Sequence, residues 1–429
     1  MTVSDSNTGP VTYKFRESKE CQSFSLASKM STVIDDLATV PGVQAYLQDH
    51  PQFDVHTVEK LSGGMSNFTY RIHLLRAYAG HQTLVLKHTP SYVAASDRNF
   101  FLDHKRQVCN SLVILSCGAN SENELAEVQA LHLAARLSTT NVPTFIRIPA
   151  IHLFDEEKHV IIMDDAGEDS RTLKELLIEE GLPNTISAQI GTGLGEFICS
   201  VHTWNQHPDV NLTLFANNMV GKYYSADWTY GQIEPTLSGR DSIPALSDPL
   251  LGISEAKMAT IAKVVEKRQK AIHAASASDP MTHGDFWPGN LMVVLKRGAD
   301  GIVEGVEKLY VLDWEASKTG LPGLDLGQLC AELYTLSEFY PARKEAARTM
   351  IASFLGAYRE RRGKGGDIEL ARVVASHIGV HAVAFTPRIP SWSGRQTTRE
   401  VVTEGAEMLV LGEEGSELAL ETSVVGPLL

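Results

Sequence analysis

The chain has 429 residues, 43% of them hydrophobic, with a formal net charge of −14 and a pI near 5.5; this allows a large core and more than one domain, and the acidic balance argues against nucleic acid as a main partner. Five cysteines without a Cys-x-x-Cys pair suggest neither a disulfide framework nor a zinc site, so a reducing cytoplasm is the expected setting. The first residues lack a basic and apolar leader, and no apolar run approaches the ~20 residues of a membrane span, so no membrane partner is expected.

Residues 1–50 read as an N-terminal extension. Within it, Val33, Ile34, Leu37, Val40, Val43 and Leu47 give a helix-like apolar set, interrupted at Pro41-Gly42. From Val55 to Ile72, two runs of strand character flank Ser62-Gly63-Gly64-Met65-Ser66-Asn67. Glycines there let the backbone close over phosphates, though a plain hairpin turn fits the same residues. The next strand, Thr83-Leu84-Val85-Leu86, ends on Lys87. The apolar stretch 107–118 has no evident place in the pattern. A helix from Glu124 to Leu137 carries Leu125, Val128, Leu131 and Leu133. Two strands follow, within Pro143–Asp155 and Lys158–Met163, the second leading into Asp164-Asp165-Ala166-Gly167.

Beyond residue 163 the chain turns helical. Leu173, Leu176 and Leu177 share a face, and a helix runs from Ser187 to Trp204. Its Gly191-x-Gly193-x-Gly195 has neither the spacing nor the preceding strand of a dinucleotide fingerprint, so close helix packing is the expected role. Residues 205–250 hold Tyr223, Tyr224, Trp228 and Tyr230 among polar residues, as a substrate-side insertion or as core aromatics under a long loop. Ile253–Ala275 is helical. Then comes Thr282-His283-Gly284-Asp285-Phe286-Trp287-Pro288-Gly289-Asn290, an apolar run from Leu291, and a second run, Leu309–Leu312, delivering Asp313-Trp314-Glu315. Two strands joined by a turn return to one spot and bring Asp285, Asn290 and Asp313 together. That set supplies a proton acceptor and oxygen ligands for a hard cation, which is what phosphoryl transfer requires. Asp325 reads as a helix N-cap. Leu329–Leu336, Arg343–Arg361 and Asp367–Phe385 read as helices, and Pro387–Arg395 as an exposed turn whose Arg388, Trp392 and Arg395 are available to an anion. Residues 412–429 read as a frayed tail.

His283-Gly284-Asp285 with Asn290, followed by Asp313-Trp314-Glu315, resembles the aminoglycoside phosphotransferase and choline kinase family, the small-molecule branch of the protein-kinase-like fold. Protein kinases carry His-Arg-Asp and Asp-Phe-Gly at these places. The resemblance implies an α+β, bilobal fold. A nucleotide-clamping N-lobe, 51–163, would be an antiparallel sheet with one helix; a larger helical C-lobe, 164–411, would hold the catalytic and acceptor-binding groups. It implies ATP and Mg²⁺ as cofactors and a small-molecule hydroxyl as acceptor. Asp285 would be the base, and Asn290 and Asp313 the metal ligands. Ser62, Gly63, Gly64, Ser66 and Asn67 would cover the phosphates. Lys87 would clamp them, held by Glu127 or else Glu124. Met163, Asp164 and Ala166 would meet the adenine through backbone atoms, while Trp287, Trp314 and Glu315 would face the acceptor side, Glu315 either touching the acceptor or supporting a group that does. A catalytically silent ATP-binding relative and a protein kinase are the alternatives; the intact acidic set argues against the first, and the two motif departures against the second. Oligomeric state is not legible.

Overall fold

The computed structural model describes residues 36–61, 67–89, 119–137, 142–363, 365–390, 392 and 394–429, with the side chains of 36 and 119–124 outside the description. The expectations for 62–66 and for 107–118 therefore lie outside the described residues.

The first lobe is a five-stranded antiparallel sheet ordered β1-β2-β3-β6-β5. Its strands are β1 (Val55–Lys60), β2 (Phe68–Tyr78), β3 (His81–His88), β5 (Ile151–Asp155) and β6 (Val160–Asp164). Strand alternation decides what faces where. Tyr70, Ile72, Leu84, Leu86, Val160 and Ile162 point to one face, where they bury with Leu37, Val43, Leu47 and Phe53. Lys87, one residue on from Leu86, therefore points to the other face, as do Ile161 and Met163. There the helix α2 (Ala119–Leu137) packs with Ala126, Val128 and Leu131.

The extension expected over 1–50 is shorter than its assigned span. Residues 36–50 belong to the sheet lobe: helix α1 (Val40–Gln48) buries Val43 and Leu47 on it, and the Tyr70 hydroxyl donates to the Leu37 carbonyl at 3.0 Å. Pro41-Gly42 does not interrupt α1. Pro41 sits in the first turn, where its missing N–H is not needed, and Thr39 caps the Gly42 N–H.

The second lobe holds a small four-stranded sheet, β4-β10-β9-β7, made of β4 (Ile146–Arg147), β7 (Arg171–Thr172), β9 (Leu291–Arg297) and β10 (Val303–Val311). A two-stranded pair joins β8 (Met281–Thr282) to β11 (Lys318–Thr319). Around them lie the long helices α3 (Asn184–Val201), α4 (Glu255–Ala274), α5 (Pro322–Phe339), α6 (Lys344–Arg362), α7 (Ile368–Ala384) and α8 (Arg395–Glu414). Gly191 and Gly195 of α3 lie where α6 crosses it, and Gly193 faces Phe145. A Cβ on Gly195 would stand 2.2 Å from the Phe354 carbonyl oxygen, and one on Gly191 2.4 Å from that of Met350. Gly195→Ala should accordingly lower stability by about 1–3 kcal/mol, as overpacking does. A thermal melt reads it; an unchanged Tm would mean α3 and α6 are not in this close contact.

Three expectations at the C-terminal end need correction. Residues 412–429 are not frayed: α8 extends to Glu414, Glu417–Glu421 is helical, and Leu420, Val425 and Leu428 are buried against the core. Their apolar positions are too sparse to show a period in the sequence, but they close the side of α6 and α7. Of the residues expected in an exposed turn over 387–395, Arg388 and Trp392 are turned inward, while Arg395 is exposed at the start of α8. Arg388 caps the end of α7 by donating to the Ala384 carbonyl at 2.6 Å and pairs with Asp241 at 2.6 Å, and Trp392 is buried. Finally, Ile368–Arg388 is long and apolar enough to span a membrane, contrary to the reading of the sequence. Most of it is buried between α5 and α8, so its apolar character is used in the core.

Candidate active site

The loop after β8 is shaped by its backbone. Gly284 has φ +86°, and a Cβ there would lie 2.1 Å from the Ala316 carbonyl oxygen. Only glycine fits both conditions. Asp325, expected as an N-cap, lies instead inside the first turns of α5, fully buried. It accepts from the His283 N–H at 2.8 Å and the Gly284 N–H at 2.9 Å, and meets His202 Nε2 at 3.0 Å. His202 in turn bonds the Tyr358 hydroxyl at 2.9 Å. Burial pushes the Asp325 carboxyl up, but His202, His283 and the Gly284 N–H outweigh it and hold it below its ordinary value. His202 is thus structural.

His283 ties this loop to the next. Burial pulls its imidazole down to about 4, so it is neutral. Its Nε2 lies 3.0 Å from the Leu312 carbonyl and its Nδ1 3.3 Å from the Asp285 N–H, which puts the proton on Nε2. The pairing of Val311 with Leu291 and a bond from the Leu312 N–H to the Asn290 carbonyl at 2.9 Å seat Asn290 beside Asp313. Asp313 itself has φ +64°, a left-handed conformation that Asp tolerates better than most side chains.

The structure brings Asp285, Asn290 and Asp313 together. Asn290 Nδ2 donates to the Asp285 carboxylate at 2.9 Å and to its carbonyl at 3.0 Å. Gln328 Nε2 donates to the other carboxylate oxygen at 2.6 Å. Burial, then the Asp313 charge, push the Asp285 carboxyl up to about 7, against the pull of Gln328 and Asn290. A carboxylate poised near neutrality suits a general base. Asn290 keeps its Oδ1 for a ligand, and Asp313 has 34% of its side chain open to the cleft. One amide oxygen and one carboxylate form a hard-oxygen donor set that fits Mg²⁺.

Lys87 faces this group from the sheet lobe. Its Nζ lies 2.8 and 3.0 Å from the Glu127 oxygens, 2.7 Å from Asp313 and 3.2 Å from Glu315. Burial lowers the ammonium's pKa, but Asp313, Glu127 and Glu315 together raise it well above its ordinary value. Of the two candidates for the Lys87 partner, Glu127 fills the position; the side chain of Glu124 is not among those described. Burial pushes Glu127 up to about 7 despite Lys87, because Asp313 and Glu315 add negative charge nearby.

Other expected residues divide. Of the glycine-loop set, Ser62, Gly63, Gly64 and Ser66 lie outside the described residues. Asn67 is buried, and its Nδ2 donates to Glu315 at 2.8 Å. Glu315 is therefore on the lysine side of the cleft, not the acceptor side. Trp314 does not face the acceptor either. It is fully buried, stacked on Trp204 with centroids 5.9 Å apart, its Nε1 donating to the Val311 carbonyl. An indole beside a motif aspartate reads as a ligand contact in sequence, but here it anchors the end of β10. Trp287 remains half-buried under the Lys174 ammonium.

At the strand between the lobes, Met163 is buried in the larger core and Ala166 is half-buried. Asp165 is turned inward onto Arg71 at 2.6 Å. Asp164 points away to His81 and His152. The aromatic segment 205–250 divides as well. Tyr230 is core, whereas Tyr224 has 37% of its surface open and stacks on Trp228 at 5.2 Å. Burial of the hydroxyl end, then the Asp285 carboxylate, push the Tyr224 phenol up, and Tyr224 lines one narrow cleft with Gln328, which holds the base. Gln328 escaped the sequence reading. Its signal is position: three residues after Asp325 on one helix, it shares the face that meets the catalytic loop.

A family model described as "Phosphotransferase enzyme family" matches residues 57–363. The chain belongs to the phosphotransferase enzyme family. This phosphotransferase is 28% identical over 376 residues to the 4-hydroxytryptamine kinase of Psilocybe cubensis, covering 86% of this chain and 92% of that one. It is 25% identical over 398 residues to the 4-hydroxytryptamine kinase of Psilocybe cyanescens, covering 91% and 97%. Among solved structures, the ADP-bound aminoglycoside phosphotransferase APH(2'')-Ib aligns with 13% identity and a TM-score of 0.43 over 86% of this chain and 98% of that one. The phosphotransferase is a small-molecule kinase, as the Gly284 and Trp314-Glu315 departures from protein kinases indicated.

Proposed function

We propose that this phosphotransferase moves the γ-phosphoryl group of ATP to the hydroxyl of a small aromatic amine, with Asp285 as base. The observation that carries the reading is the facing arrangement of Lys87 and Asp285 across one cleft. Lys87, fixed by Glu127, is aimed at Asp313 and is placed to meet phosphate oxygens in its stead. Asp285 is oriented from both sides by Asn290 and Gln328 toward an incoming hydroxyl, whose proton it accepts. Asn290 Oδ1 and Asp313 would hold Mg²⁺, which when bound neutralises charge on the phosphate oxygens. The inward turn of Asp165 onto Arg71 orders the backbone from 163 to 167, where adenine would bond the chain.

The acceptor class rests on the walls beside Asp285. Tyr224, Thr229, Gln328 and Phe385 line a narrow cleft that reaches Gly284. Trp228 packs against both Tyr224 and Phe385 with centroids 5.2 Å away. Its aromatic walls suit a planar ring once the cleft opens, and the negative carboxylates of the site favour a cationic amine. Both named relatives carry 4-hydroxytryptamine in their names.

Two measurements test this. With folded protein, Mg-ATP at ~100-fold above its Kd should stabilise by about 2.7 kcal/mol, seen as a raised Tm; no shift at millimolar Mg-ATP would favour a silent relative. ADP release should then be strongest with hydroxylated aromatic amines in a panel that also holds choline, an aminoglycoside and aliphatic amino alcohols. A preference for the aliphatic members would remove the aromatic reading and leave the kinase intact.

A further inference from the structure

A second cluster lies on the outer side of the strand that joins the lobes, away from Lys87 and Asp285. Three short-range facts of the sheet create it. The β2–β3 hairpin turns through Ala79 and Gly80, both at positive φ, so that His81 opens β3 opposite Tyr78. Strand β5 shifts register against β6 between Ile151 and Leu153, and the residue at the irregularity is His152. Such a bulge re-aims a side chain. Asp164 closes β6, between the ends of β3 and β5.

The side chains converge on one point. Asp164 Oδ1 lies 2.7 Å from His152 Nε2 and 3.2 Å from His81 Nε2, and all these atoms are within 4.8 Å of one another. The other carboxylate oxygen accepts the Ala150 N–H at 3.1 Å, which fixes the carboxylate plane. Tyr78 packs edge-on against the His152 ring with centroids 5.4 Å apart, which fixes that ring. These supports orient donor atoms as outer-shell contacts do around bound metals. His81 keeps 30% of its side chain exposed, so the cluster opens to solvent on one side.

We infer that His81, His152 and Asp164 form a site for a borderline divalent transition metal of the Zn²⁺ type, with one position left to water. Two imidazole nitrogens and a carboxylate suit Zn²⁺ better than Mg²⁺. Around a tetrahedral Zn²⁺ with ligands at about 2.0–2.1 Å, neighbouring donor atoms stand about 3.3–3.4 Å apart. The 3.2 Å spacing is already close to that, and the 2.7 Å spacing reaches it by opening about 0.6 Å. Binding through Nε2 leaves the ring proton on Nδ1 and replaces the contacts to Asp164 Oδ1. Occupied, the site ties the β2–β3 turn and β5 to the residue just ahead of Asp165. It is independent of the acceptor proposed above.

Titration of metal-free protein with Zn²⁺ in millimolar Mg²⁺, which occupies hard-oxygen sites, reads the inference by calorimetry. A parallel titration with Co²⁺ reads the coordination by absorption. One equivalent should bind, with intense tetrahedral Co²⁺ bands and a raised Tm. Removing an outer-shell group typically costs about 10–100-fold in affinity, so removing a ligand in His81→Gln or His152→Ala should cost no less. Neither residue belongs to the catalytic cleft, so Mg-ATP binding should be unchanged in both. No uptake by folded wild type, or unchanged uptake in the His81→Gln protein, would overturn the site. His81→Gln alters only a partly exposed turn, so it decides the matter even if His152→Ala fails to fold.

Discussion

Asp285→Asn should leave the affinity for Mg-ATP nearly unchanged and cut phosphoryl transfer by ~10²–10⁴-fold, the range for a single acid–base group. The substitution keeps the volume of the side chain. Its remaining oxygen can still accept from Asn290, and the Gln328 amide can flip to accept from the new NH₂. The carboxylate that takes the acceptor proton is lost. The pH profile gives a second reading. A base held near 7 by burial and by Asp313 is active when deprotonated, so kcat/KM of the wild type should rise as pH increases through about 7. That limb should disappear in the variant. Calorimetric Mg-ATP affinity and ADP release, measured on both proteins, check the pair of effects. Equal loss of affinity and turnover would make Asp285 a metal holder, and unchanged turnover would remove the mechanism.

Asp325→Ala should be the most destabilising single change in the large lobe, by about 3–5 kcal/mol, as when one partner of a buried pair is removed. It strands the His283 and Gly284 N–H groups and leaves His202 without its carboxylate, all inside the core. A lowered Tm checks the prediction. Activity should fall as well, because the loop carrying Asp285 loses its brace. Asp325→Asn should fall between the two, since an amide oxygen accepts one N–H while its NH₂ faces another donor. A Tm within a degree of wild type for the alanine variant would mean that the loop is held by β8 and β11 alone.

The sequence carried the chemistry of the site because motif spacing and strand alternation are local. Asp285 and Asn290 share one loop, and the two apolar runs that follow can only return Asp313 to it as a hairpin. Likewise, period-2 alternation along Thr83–Lys87 sets Lys87 opposite the face that buries Leu84 and Leu86. The long helices α3, α6 and α7 were legible from their apolar periods, and the glycines of α3 were legible as packing residues because no strand precedes them.

What remained hidden depends on which surface meets which. Trp314 and Glu315 adjoin the same aspartate, yet one is swallowed by Trp204 and His283 while the other reaches across to Lys87 and Asn67; adjacency in sequence does not say which side of the chain faces the core. Asp325 looked like a cap because a cap is the local explanation, but its partners stand 41 and 42 residues away. The end of the chain buries scattered apolar residues against α6 and α7, a pattern with no clear period of its own, whereas the helix Arg395–Glu414 carries a regular one at Thr398, Val401, Val402, Gly405, Ala406 and Leu409 that is legible in the sequence. The His81–His152–Asp164 cluster draws on a turn, a bulge and a strand end separated by up to 83 residues, so only the folded sheet brings its donors to one point. The sequence by itself determined the local chemistry of the cleft and the alternation of the strands that carry it. The tertiary structure decided the partners of Asp325, Asp165 and Glu315, because a desolvated charge takes the complement that packing delivers, at whatever distance along the chain.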